Sequence, residues 1–426
     1  MLIENKISIY DFVNALSDMV DLVSPLMGNH HTRVAYLAWN LAQKMHLSNE
    51  EIQDITLAAM LHDIGAFSVE EQIMLQTFEP YGGDTDIDNH AFVGYKLLRN
   101  FEPLAQAANL IRYHHAEYHP TKQHIPLGSH VIHLADRMAV LLDENREIFM
   151  QLPDAFAAID RQRAIFHPLA LAALDELAEL EYVWIEVFSK SLDSPLINKT
   201  VFSKDIYDME TLRSFSRVIG QIIDFRNRFT ATHSSGVAAV SMELAKIVSF
   251  SEKECKQMEI AGFLHDLGKL AVSNEILEKK GDLNYEEINS IRKHTYYTYS
   301  VLSKIQGMEQ IAVWAAYHHE RQDGNGYPFH IDSENFPLPA RIMAVADIVT
   351  ALTEDRPYRP GMDKERAMEI LFSMVEDGGV DRIIAEIAER NFERINTART
   401  NANIEARREY ESFNGTTILN FSEVAI

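Results

Sequence analysis

An apolar helical run closing on an adjacent histidine and aspartate occurs twice in this chain, as Ala58-Ala-Met-Leu-His62-Asp63-Ile-Gly65 and as Ala261-Gly-Phe-Leu-His265-Asp266-Leu-Gly-Lys269. The recurrence extends beyond the pair. His30 precedes His62 by 32 residues and His233 precedes His265 by the same 32, so the copies are offset by 203. With one residue inserted, an offset of 204 carries His90 onto His294, Leu98 onto Leu302 and His114-His115 onto His318-His319. Asp136, in Ala135-Asp136, then answers Asp347, in Ala346-Asp347. Self-similarity of this kind marks one structural unit used twice, and 426 residues are enough for two domains.

The pattern around these residues is helical. Ile9, Phe12, Val13, Leu16, Met19, Val20 and Val23 recur at spacings of three and four. Ser48-Asn-Glu-Glu51 reads as a capping box ahead of the first His-Asp pair. Phe166-His167-Pro168 opens another apolar stretch running to Trp184, with His167 as a helix-start residue, and an amphipathic helix from Tyr207 to Phe229 precedes His233 as the first helix precedes His30. No alternating block long enough for a sheet appears, so the expected class is all-α, with two tandem helical domains. Ser191-Leu-Asp-Ser-Pro-Leu-Ile-Asn-Lys199 is rich in turn formers and reads as the linker. The expected division is residues 1–195, residues 196–400 and a polar tail over 401–426, entered by a helix that frays from about Thr397 and with a turn suggested at Asn414-Gly415.

Composition excludes several classes. A single Cys255 rules out an intramolecular disulfide framework and fits a reducing compartment. No apolar run approaches the length of a membrane span and the N-terminus lacks a signal-peptide pattern, so a cytoplasmic protein with no membrane partner is expected. A net charge of −24 argues against binding a nucleic acid polymer, which depends on Lys and Arg neutralising phosphates. An anionic substrate would then need metal ions and a few placed cations. Neighbouring residues on a helix point about 100° apart, so an adjacent His and Asp serve two metal ions side by side better than one. Imidazole and carboxylate donors without thiolates suit iron or manganese first, with zinc, nickel or magnesium as alternatives.

The ordered set His265-Asp266-x-Gly-Lys269, His318-His319-Glu320, Asp323-Gly-x-Gly326-Tyr327-Pro328, Ala346-Asp347 and Arg356-Pro-Tyr-Arg359 resembles the HD-GYP subgroup of the HD metal-dependent phosphohydrolases over roughly residues 205–395. The resemblance implies an all-helical phosphodiesterase that opens bacterial cyclic dinucleotides with two divalent ions per site. On that reading His233, His265, Asp266 and Asp347 hold one ion, Asp266 bridges, and His294, His318 and His319 hold the other. His265 and Asp266 then belong to the catalytic centre. Lys269 touches a phosphate oxygen or assists the leaving 3′-oxygen. The resemblance further assigns Arg356 and Arg359 to the second phosphate. It places Gly326, Tyr327 and Pro328 at the substrate mouth, where they meet diguanylate cyclase (GGDEF) domains, and it allows a homodimer. Cyclic di-GMP and 3′3′-cyclic GMP-AMP are both candidate substrates.

The chain departs from that pattern in places. Phe229 stands one turn before His233 where a third-metal carboxylate would be, and Thr350 stands where an aspartate is usual. Tyr296, Tyr297 and Tyr299 replace the usual segment after His294; they offer stacking surfaces, with core packing the simpler role. The first copy retains a second candidate metal set, His30, His62, Asp63, His90, His114, His115 and Asp136, but has Ala66 at the Lys269 position and no counterpart of the Gly326-Tyr327-Pro328 loop. Arg146 falls one place off the position of Arg356. Two readings of that half follow: a phosphomonoesterase of the 5′-nucleotidase type acting on the linear product, or a silent regulatory module. A chain that only binds cyclic dinucleotides is the non-enzymatic alternative.

Overall fold

The computed structural model describes residues 2–21, 29–66, 87–121, 124–188, 205–226, 232–279, 281–355 and 360–414. The Ser191–Lys199 linker, Val23, Phe229 and both Arg356 and Arg359 lie outside them. The chain divides into two compact units, residues 7–206 and residues 207–426 together with 1–6. Apart from β1 (Leu2–Ser8) and β2 (Asp205–Asp208), which pair in a two-stranded sheet, the described residues form helices and connections.

In the N-terminal unit α1 (Ile9–Asp21) lays its apolar stripe inward, with Ile9, Phe12, Val13, Leu16 and Met19 all at most 1% exposed. Each such side chain contributes about 1.5–3 kcal/mol of burial free energy. The core is built on α2 (His30–Lys44), which packs against α1, α3 (Asn49–Met60), α6 (Leu127–Val140) and α8 (Pro168–Leu177). Between α3 and α6 lie α4 (Ile87–Leu98) and α5 (Ala105–Arg112), packed on each other. Also among the described residues of this unit are α7 (Ile148–Arg161) and α9 (Glu181–Glu186). His167 caps α8 by accepting from the Leu169 amide, with Pro168 at the first helical position.

The C-terminal unit repeats this plan. After α10 (Met209–Arg226) come α11 (His233–Ile247) and α12 (Glu252–Leu264), the short α13 (Asn274–Leu277), then α14 (Tyr285–Leu302), α15 (Glu309–Ala316) and α16 (Leu338–Thr353). The junctions repeat as well as the helices. His46 and Ser249, both left-handed, lead into capping boxes at Ser48/Glu51 and Ser251/Glu254. The unit closes with α17 (Lys364–Glu376), α18 (Arg382–Arg390) and α19 (Phe392–Asn414). Because α19 packs along α11 and buries Ala406, the expected tail from residue 401 begins as the end of a docked helix. No helix of the described residues is long and apolar enough to cross a membrane.

Candidate metal centres

In the C-terminal unit each candidate ligand sits where a helix begins, ends or faces the core. His233 is the first residue of α11, and His265 ends α12 with Asp266 opening the 3-10 turn Leu267–Ala271. His294 lies on the buried face of α14, His318 and His319 form the turn after α15, and Asp347 lies on α16. These side chains converge. His233, His265 and Asp347 bring ligand atoms within 4.8 Å of one another, as do His294, His318 and His319. Asp266 stands between the groups, with one oxygen 3.2 Å from His265 Nε2 and the other 3.3 Å from His294 Nε2. In the N-terminal unit Asp63 belongs to both groups, one with His30 and His62 and one with His90, His114 and His115, while Asp136 lies 3.2 Å from His30 Nε2.

The imidazoles are aimed by their own helices. Nδ1 of His265, His294 and His318 donates to the carbonyl three residues back, Gly262, Ile291 and Ala315, at 2.8, 2.6 and 2.7 Å. His62 and His114 do the same to Ala59 and Ile111 at 2.8 and 2.7 Å. With the proton on Nδ1, Nε2 presents a bare lone pair to the cluster. His294 Nε2 and His318 Nε2 are therefore two lone pairs 3.2 Å apart in a buried site. His265 Nε2 and His62 Nε2 are buried, have no hydrogen-bond partner and face carboxylate oxygens. Such an arrangement repels itself without a cation between the donors, so the residues present fit divalent metal ions.

At His294, His318 and Asp266 the electrostatics agree with that chemistry. Burial pushes His294 down to about 3 and holds His318 well below the ordinary imidazole range, which keeps both neutral and able to ligate. Burial opposes ionisation of Asp266, yet its contacts with His265 and with the Lys269 ammonium hold it well below the carboxylate range. Lys269 Nζ lies 2.5 Å from Asp266 Oδ2, with its side chain 24% exposed at the edge of the cluster. His233 is raised to about 10: burial acts to lower it, but hydrogen bonds to Asp347 and Glu354 prevail.

Several contributors were not foreseen from the sequence. Glu354 lies behind His233, 3.0 Å from Nδ1. Asp224 accepts from the amide and hydroxyl of Ser234, pinning the start of α11. In the N-terminal unit Arg137 holds Asp136 Oδ2 at 2.5 Å, so this site has its cation on a different carboxylate from the one Lys269 grips. His31 adds a ring 5.1 Å from that of His62. A residue next to Asp136 on a helix would ordinarily point elsewhere, and only the long arginine stem lets it return; that reach left no spacing signal.

The loop after His319 folds back over the site. Buried Glu320 accepts from the Phe329 and Ile331 amides at 2.7 and 3.1 Å, and the Tyr327 amide donates to His319 O. Gly324 has the positive φ expected of a loop glycine, but Gly326 is required for another reason. A Cβ there would lie 2.4 Å from Glu320 Cα and from the Arg321 amide nitrogen. The Tyr327–Pro328 peptide is cis, the Tyr327 ring lies 5.0 Å from that of His319, and the Arg292 guanidinium sits 4.5 Å above it. Of the three tyrosines after His294, Tyr296 is half exposed and Tyr299 packs edge-on against Phe329.

Comparison with known proteins agrees with this architecture. Family models for the HD domain match residues 27–141 and 217–384. A 3′3′-cGAMP-specific phosphodiesterase of Vibrio cholerae is 29% identical over 385 residues, 85% of this chain and 87% of the relative. A cyclic di-GMP phosphodiesterase response regulator of Xanthomonas campestris is 35% identical over 168 residues, covering 39% of this chain and 43% of that one. The chain thus spans most of the first relative and under half of the second. The crystal structure of a cyclic GMP-AMP specific phosphodiesterase of V. cholerae shares the fold, with a TM-score of 0.60 at 21% identity over 93% of this chain and 98% of that chain. Twin helical units, each gathering histidines and aspartates into one buried cluster, together with these matches, place the chain in the HD-domain family: it carries two HD domains in tandem and is homologous to the HD-GYP phosphodiesterases.

Proposed function

We propose that the C-terminal unit hydrolyses a 3′-5′ phosphodiester of a cyclic dinucleotide. The observation that carries this is the pair of facing, proton-free nitrogens of His294 and His318, beside Asp266 with its two oxygens turned to two ligand groups. When bound there, two divalent ions neutralise a phosphate and acidify a water. Asp266 and Asp347 orient that water, and Lys269 meets a non-bridging or leaving oxygen. Water oxygen bonds to phosphorus, the P–O3′ bond breaks, O3′ takes a proton, and a linear dinucleotide with a 5′-phosphate results. Of the two candidate substrates, 3′3′-cyclic GMP-AMP is favoured because a relative of which this chain spans 87% is named for it. Chromatography of products after incubation with each cyclic dinucleotide and Mn²⁺ tests the reading; intact nucleotide in every case would leave a receptor, not an enzyme. Contact of the 321–328 loop with GGDEF domains and a homodimer belong to the same proposal and rest on family resemblance.

The second phosphate needs its own cation, and Arg292, stacked on Tyr327 beside His319, is a described candidate alongside Arg356 and Arg359. An arginine–phosphate contact of about 1.5 kcal/mol is roughly tenfold in binding. Arg292→Ala is expected to raise KM about tenfold with kcat little changed; an unaltered KM would place the substrate elsewhere.

For the N-terminal unit the reading favoured is phosphomonoester hydrolysis on the linear product, because the seven candidate ligands are all present and Arg137 brings a cation to Asp136, although Ala66 stands at the lysine position. His62→Ala/Asp63→Ala is expected to abolish phosphate release from the linear dinucleotide while opening of the ring continues. Phosphate release at the unaltered rate would instead favour a silent module.

A further inference from the structure

His233 is held between two carboxylates. Its Nε2 faces Asp347 Oδ1 at 3.2 Å inside the cluster, and its Nδ1 faces Glu354 Oε2 at 3.0 Å on the far side. Glu354 is 3% exposed and stands just beyond the C-terminus of α16, seven residues after Asp347. Unlike the other imidazoles with a carbonyl three residues back, His233 opens its helix, so no carbonyl of α11 lies behind it. One turn before Glu354, Thr350 is fully buried and its hydroxyl has no partner, so the position where a carboxylate is usual supplies no support for the ring.

At the matching position of the N-terminal copy the acid is engaged elsewhere. Asp143 also stands seven residues after its metal-set aspartate, Asp136, but its carboxylate accepts from the amide and side chain of Asn145 at 2.9 and 3.1 Å. Asp224, the other acid near His233, is engaged by Ser234.

We propose that Glu354 is a positioning residue for the C-terminal metal centre: it accepts the Nδ1 proton of His233, fixes the tautomer and the plane of the ring, and lends the imidazole negative charge. This rests on the reading that the cluster holds metal ions. Loss of such an outer carboxylate typically weakens metal binding by about 10–100-fold.

The test uses the full chain with the N-terminal cluster disabled by His62→Ala/Asp63→Ala, titrated with Mn²⁺ against a chromophoric chelator. Glu354→Ala is expected to weaken Mn²⁺ binding at one of the two C-terminal sites by about 10–100-fold. Glu354→Gln, which still accepts from Nδ1 but carries no charge, is expected to weaken it by a smaller factor and serves if the alanine variant does not fold. A purely structural glutamate would instead lower the metal-free melting midpoint and leave Mn²⁺ affinity alone. Affinity equal to the parent in either variant overturns the inference; a parent that takes up no Mn²⁺ overturns the metal reading itself, and this inference with it.

Discussion

Replacing His265 and Asp266 together by alanine is expected to lower cyclic dinucleotide hydrolysis by about three orders of magnitude or more, roughly 4 kcal/mol in the barrier. The size follows from where Asp266 stands. One oxygen faces His265 and the other faces His294, so the double change removes a ligand from each group and cuts the link between them. It also strips Lys269 of its 2.5 Å partner, leaving an ammonium without the carboxylate that holds its charge at the cluster edge. Product chromatography and metal content per chain, measured on the same preparations, check this. Turnover within a few-fold of the parent would remove the C-terminal cluster from the reaction. The same variant retains His62 and Asp63, so release of phosphate from added linear dinucleotide should persist.

Gly268→Ala is expected to destabilise the C-terminal unit by about 3 kcal/mol, lowering its melting midpoint by roughly 6–12 °C. A Cβ at Gly268 would lie 1.9 Å from the carbonyl oxygen of His294 and 2.8 Å from its Cα. These are backbone atoms of α14 and cannot swing aside as a side chain would. The turn is tied to the same helix by the Gly268 amide, which donates to Thr298 Oγ1 at 2.9 Å, while Thr298 Oγ1 donates to the His265 carbonyl. Relief therefore means prising the Asp266 turn off the helix that carries His294, and metal uptake should fall with the midpoint. The repeat makes its own prediction of location: at Gly65 a Cβ would meet the His90 carbonyl at 2.2 Å. Scanning calorimetry on the full chain decides; a midpoint unchanged in Gly268→Ala would mean that the turn and α14 separate freely.

The arrangement of helices was legible because the ligands recur with their spacing intact, and a spacing kept over two hundred residues constrains both copies at once. That His233, His265, His294 and His318 would meet could be anticipated from the same pattern. What surrounds them could not. Glu354 reads in sequence as an acid at a helix end, Asp224 as one on an amphipathic helix, and Arg137 as a helix-surface cation; each matters through the direction of one side chain, which a string of letters does not carry. The glycine at 326 was legible as a loop residue, but the reason for it is the backbone at Glu320 and Arg321 rather than left-handed freedom. A helix running into the polar segment beyond residue 401 was to be expected; its docking was not legible, because it depends on the buried Ala406 and on Arg217 reaching Glu405 and Glu409.

The carbonyls behind His265, His294 and His318 have a consequence for how such a protein is supplied. Each ring leans on a group in its own helix, so the direction of each donor nitrogen is set by the fold before any ion is held. On the proposed reading, donors aimed in this way would take their ions from the surrounding pool. Hydrolysis, on that reading, would then follow the supply of those ions.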